Sequence, residues 1–153
     1  MNQYIGTKVI NAKPMNRLDY NIFRGWELPA DEDGSDEGYL VEYVDGGKPN
    51  TSEYKGYVSW SPAEQFDNAY KASGELSFGD AIAYMKLGHK VARKGWNGKG
   101  MFLELQTPTI NSKMTVPYPF FTIPNCEEGT RCIPYASTII DIMSDDWCVV
   151  NEY

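Results

Sequence analysis

Residues 90–106 read KVARKGWNGKGMFLELQ. Two short strand-like runs, KVARKGW and GMFLELQ, meet at Asn97-Gly98. Asn-Gly between apolar runs predicts a tight hairpin, because both residues tolerate the positive φ that a two-residue turn demands. That pair therefore constrains the second half of the chain to an antiparallel sheet. Together with His89 just before it, the segment gathers Lys90, Arg93, Lys94 and Lys99 around Trp96, Gly95, Gly98 and Gly100.

The basic segment stands out because the chain is acidic, with net charge -7 and a pI near 4.7. Such a balance speaks against a general nucleic-acid binder, which needs a basic face for phosphates. The first ten residues lack a signal-like apolar region, and no apolar run is long enough to span a membrane. Cys126, Cys132 and Cys148 read as reduced thiols, with Cys126 and Cys132 able to face each other across a hairpin. No CxxC pair exists, so zinc is not expected.

Near KASGE, Lys71 to Glu75, the chain divides into units expected over 1–72 and 73–153. In the first, KPMNRLDYNIFRG predicts a helix starting at Pro14 and stopping at Gly25, with Met15, Leu18 and Ile22 on its apolar face. YLVEYV and GYVSW predict paired strands. SPAEQFDNAYK predicts a helix with Ser61 as cap, Pro62 first, Glu64 closing a capping box, and Phe66, Ala69 and Tyr70 as its stripe.

In the second unit, Ser77 and Asp80 predict a helix start, and Phe78, Ala81, Ile82 and Met85 its buried face. Gly88 ends it. YPFFTIP, RCIPY and WCVV predict further strands, and STIIDIMSDDW a short helix or turn. The expected fold class is α+β: small antiparallel sheets with short helices, as two units or as one domain with an N-terminal extension.

Catalytic groups are scarce. One histidine, His89, sits at a helix end, where a cation is favoured on electrostatic grounds. Asp145 and Asp146 read as a turn or cap before Trp147 rather than as an acid/base pair. GWNGKG lacks the ending of a phosphate-binding P-loop. Binding groups are better supplied. An indole stacks on bases, glycine turns present amides to phosphate, and Asn97 carries donor and acceptor together. A solvated hairpin with Trp96 plugging the core is the plainer alternative.

The stretch LSFGDAIAYMKLGHKVARKGWNGKGMFLEL, followed by RCIPYASTIIDIMSDDWCVV, resembles the Thoeris anti-defence protein 2 family of phage proteins over about residues 76–150. Tyr135 stands where that family carries tryptophan in a VPW motif. Thr138, Ile139 and Ile140 stand where polar residues are common between its serine and aspartate. RGWELPADEDG and the segments after it resemble tailed-phage proteins of unassigned role.

The resemblance implies a non-enzymatic sponge in the host bacterial cytoplasm. It would bind a cyclic ADP-ribose isomer without cleaving it, with cyclic dinucleotides as a further ligand class. It would be a homo-oligomer with pockets between protomers, needing no cofactor or metal and contacting neither nucleic acid nor membrane. Trp96 or Tyr135 would stack on the base. Asn97, Ser137 and Thr138 would make polar contacts, and Arg93, Lys94 and Lys99 would offer charge. Asp141 would accept from a ribose hydroxyl or adenine amine, or cap local structure. Nanomolar affinity needs about -12 kcal/mol, within reach of one stack and a few charge-assisted bonds only in a pre-formed pocket. The alternatives are a protein-binding inhibitor of a host defence nuclease and an enzyme that hydrolyses the signal.

Overall fold

The structure is a computed structural model, described here for residues 1–96, 100–126 and 129–150. The Asn97-Gly98 turn and Lys99 lie outside the described residues. The chain is α+β and forms two compact units, Met1–Tyr70 and Lys71–Tyr153.

The first unit is a three-stranded antiparallel sheet in the order β1-β2-β3, formed by Asn11–Pro14, Gly38–Tyr43 and Tyr57–Pro62. Helices α1 (Arg17–Arg24) and α2 (Ala63–Ala69) flank it. The central strand β2 is buried on both faces. Leu40 packs with Tyr20 of α1 and with Val58, while Tyr39 stacks on Phe66 of α2 at 3.9 Å. Leu40 and Val41 are therefore both excluded from water although they point in opposite directions.

Three expectations need correction here. Pro14 ends β1 rather than opening α1, and Asn16 caps the helix by accepting from Asp19 N–H at 2.7 Å. A free side-chain oxygen satisfies an orphan helix amide, which proline cannot do. The face of Leu18 and Ile22 is not the core face. Both are exposed, and α1 buries Tyr20 and Asn21 instead. Ser61 belongs to β3, so α2 starts from Pro62 with no side-chain cap. Gly25 does stop α1, in the left-handed conformation at φ 68° that suits glycine.

The second unit is a five-stranded antiparallel sheet, β7-β6-β5-β4-β8. Its strands are Lys90–Arg93 (β4), Phe102–Gln106 (β5), Tyr118–Cys126 (β6), Gly129–Pro134 (β7) and Trp147–Val150 (β8). The flanks of Asn97-Gly98 pair as expected, with Val91 opposite Leu103. Helix α3 (Phe78–Lys86) is fixed at its start by a reciprocal Ser77–Asp80 capping box. It lays Ala81 and Met85 on Val91, Leu103 and the fully buried Trp147. Completely burying an indole is among the largest single contributions a small core receives, on the order of 3 kcal/mol. A short helix, α4 (Ile139–Ile142), precedes β8. The β6–β7 register sets Cys132 opposite Thr122 and Cys126 opposite Gly129, so the two cysteines are not cross-strand partners.

Candidate functional site

β4 and β8 pair so that Arg93 lies opposite Trp147. That register carries Arg93 to the end of its strand, beside the turn that leads from α4 into β8. Two carboxylates meet it there. Asp146 Oδ1 accepts from Arg93 Nε at 2.7 Å, and Asp146 Oδ2 accepts from Gly95 N–H at 2.9 Å. Asp141 Oδ1 accepts from Arg93 Nη1 at 2.9 Å and from Trp96 Nε1 at 3.3 Å.

The other Asp141 oxygen is also committed. It accepts from the Thr138 hydroxyl at 2.8 Å and from Thr138 N–H at 3.2 Å, closing a capping box on α4. The backbone carbonyl of Asp141 accepts from Trp147 Nε1 at 3.0 Å. One aspartate therefore holds two indoles, one through its carboxylate and one through its peptide oxygen. Of the two roles considered for Asp141, the structure displays the cap.

The charges in this cluster are locked. Burial pushes the Asp141 carboxyl up, but the hydrogen bonds from Arg93 and Thr138 outweigh it and hold it at about 2. Asp146 is lowered chiefly by Arg93, and Arg93 is raised in turn by Asp146 and Asp141. Burial raises Tyr135, reinforced by the approach of its hydroxyl to the Asp141 carboxylate, a contact that falls short of a full hydrogen bond in the structure. The Tyr135 hydroxyl is itself buried without a hydrogen-bond partner among the described residues.

Above this polar network lies an aromatic group. The Trp96 ring centre is 4.8 Å from Phe121, 5.3 Å from Trp147 and 6.5 Å from Tyr135, and Phe121 meets Tyr135 edge-on at 5.0 Å. Trp96 is half-buried, so it both packs on the core and keeps part of its surface outside. Such a ring can offer a partial face to a base while its nitrogen is held by Asp141.

Of the residues singled out from sequence, Arg93, Trp96, Tyr135, Thr138 and Asp141 converge. Lys94 diverges from Arg93. It lies beyond the end of β4, its N–H donates to Asp146 O at 3.1 Å, and its ammonium lies beside Gly74. Ser137 is exposed next to the network without joining it. Asn97 and Lys99 lie outside the described residues. Sequence reasoning treated Asp146 as a turn residue and passed over Phe121 as a contributor. A guanidinium at the edge of an apolar sheet needs a carboxylate partner, and that need was the available signal for Asp146.

Comparison with known proteins falls on the same stretch. Residues 76–150 match the family described as the Thoeris anti-defense 2-like domain. A relative, Thoeris anti-defense 2 of Bacillus phage SP01, is 52% identical over 33 residues. The match takes in 22% of this chain and 37% of the relative, so it spans well under half of either. The segment that contains the whole Arg93–Trp96–Asp141–Asp146 network thus resembles the Thoeris anti-defense 2 family.

Proposed function

We propose that the chain is a phage anti-defence protein that binds a cyclic ADP-ribose-type immune signal and holds it uncleaved, keeping it from the Thoeris effector. The carrying observation is that the family match over residues 76–150 encloses both halves of one bonded network. Trp96 and Tyr135 supply aromatic surface, Ser137 is exposed next to the network, and Asn97 and Lys99 are the further candidates for polar contacts. Protomers associate so that pockets form between them, which excludes water from the ligand more fully than one small unit does.

The electrostatics favour binding over catalysis. Arg93, Asp141 and Asp146 are each held in their ordinary charged form, and Tyr135 is held protonated. A general acid or base works best with a pKa near the operating pH, and these groups have moved the other way.

Incubation with a cyclic ADP-ribose isomer, removal of free ligand, heat denaturation and mass spectrometry test the proposal. Release of intact ligand is the expected result. Release of a cleaved product would make the protein an enzyme. No retention would leave the protein-binding alternative, tested by co-purification with the host defence machinery.

A further inference from the structure

Asp146 touches the turn that leads into Trp96 at three points. Its Oδ1 accepts from Arg93 Nε at 2.7 Å, its Oδ2 from Gly95 N–H at 2.9 Å and its backbone oxygen from Lys94 N–H at 3.1 Å. Trp96 N–H closes the turn on Arg93 O at 3.2 Å. Arg93 then links Asp146 to Asp141 Oδ1, the oxygen that also accepts from the Trp96 indole. We infer that Asp146 is a positioning residue of the ligand site: it holds the Trp96 indole in place through this turn, and Arg93 serves as the bridge rather than as a contact for a ligand phosphate. The inference rests on the sponge reading above, because it takes Trp96 as a surface that the ligand meets.

Charge is the first ground. One guanidinium stands between two carboxylates, so the cluster has no surplus positive charge to offer a phosphate. All three guanidinium nitrogens already donate, Nε and Nη2 to Asp146 and Nη1 to Asp141, and the Arg93 side chain is only 12% exposed. A phosphate at Arg93 would have to displace one of these carboxylates or share the guanidinium with both. Bridging two carboxylates also needs the planar fork of an arginine, which a lysine ammonium does not provide.

Space is the second. A Cβ at Gly95 would stand 2.9 Å from Asp146 Oδ2 and 3.4 Å from Arg93 Nη2. Those two atoms are held by their own pairing, so neither swings away freely. A side chain at position 95 therefore pushes the turn off the carboxylate. Trp96 is the next residue, so its indole moves with the turn. An aromatic surface contributes its full stacking energy only if it is ordered before the ligand arrives, because ordering it afterwards subtracts from affinity.

The sign of one substitution separates positioning from plain electrostatics. Asp146→Asn removes a negative charge beside an anionic ligand and frees part of Arg93, so electrostatics alone would tighten binding. Positioning instead weakens it, by about tenfold, for the cyclic ADP-ribose isomer titrated calorimetrically into the full chain at a temperature where the variant is fully folded. Gly95→Ala leaves every charge in place and should weaken binding by a similar factor. Arg93→Lys keeps the charge without the fork and should do the same. Ser77→Ala removes a helix cap outside the network, so it should lower Tm and keep the native affinity. Tighter or unchanged binding by Asp146→Asn, or native affinity in Arg93→Lys or Gly95→Ala, would overturn the inference. An equal loss in Ser77→Ala would also overturn it, because affinity would then simply follow stability. A native chain that binds no cyclic nucleotide brings down the sponge reading and this inference together; a native chain that binds, with variants that bind equally well, brings down this inference alone.

Discussion

Arg93 Nη1 donates to Asp141 Oδ1 at 2.9 Å, joining the end of β4 to the first turn of α4 across 48 residues. Asp141 is 6% exposed, so its charge depends on that partner and on the Thr138 cap. Asp141→Asn removes the charge and puts a donor against a donor on at least one side. Losing one member of a buried, hydrogen-bonded pair costs about 3–5 kcal/mol, and Asp146 retains part of Arg93's pairing, so about 2–4 kcal/mol is expected here. A thermal melt reads this as a fall in Tm of roughly 10 °C or more. A variant that melts with the native protein would show that the pair contributes nothing to the fold.

The same carboxyl sets an acid limit. In the folded chain it titrates at about 2, below its ordinary value of 3.8. Between these values the unfolded chain takes up the proton more readily. The contribution is therefore complete above about pH 4 and is lost as pH falls toward 2, on the order of 2 kcal/mol for this group alone. Asp146, also lowered, adds to the loss over the same acid range. Denaturant melts at stepped pH should show stability falling across this window, and Asp141→Asn should flatten the fall.

Tyr135 gives a test of opposite sign. Its hydroxyl is buried with no hydrogen-bond partner among the described residues, while its ring meets Phe121 edge-on at 5.0 Å. Tyr135→Phe keeps the ring contact and removes the unsatisfied oxygen. Stability should hold or rise by up to about 1 kcal/mol, measured by denaturant midpoint. A clear loss of stability would mean that the hydroxyl's approach to Asp141 contributes to the fold. Ligand retention measured on the same variant separates a stacking role, which phenylalanine keeps, from a hydrogen-bonding one.

The second unit was legible where local chemistry and the global fold agree. Ser77 and Asp80 form the capping box that their spacing announces, and the flanks of Asn97-Gly98 pair as antiparallel strands. The first unit was less so. β1 reads NAKP and has all four residues exposed, so no hydrophobic period marks it; its pairing with β2 makes it a strand. In α1 the apolar residues Leu18 and Ile22 lie outside, because Tyr20 packs on Leu40 and Leu18 sits beside Gly34 of the following loop. The site divided in the same way. The family resemblance grouped Arg93, Trp96, Tyr135, Thr138 and Asp141 with Lys94, Asn97, Lys99 and Ser137, and the structure brings the first five of these together. The bonds that spend the Asp141 acceptors span up to 48 residues, and sequence spacing carries no record of them.

Trp96 is the residue for which fold and function must be separated by experiment. Its ring packs on Phe121 and Trp147, and its nitrogen donates to Asp141. Trp96→Ala therefore removes a core contact as well as an aromatic surface, and should cost about 3 kcal/mol of stability. Lost ligand retention in that variant alone would not distinguish the two. Trp96→Phe keeps a ring against Phe121 and gives up only the Nε1 hydrogen bond and part of the stacking area. It should melt within about 1–2 kcal/mol of the native protein and still hold the cyclic nucleotide, about tenfold more weakly. If Trp96→Phe is stable and binds as tightly as the native chain, stacking by this indole is excluded and the aromatic contact passes to Tyr135.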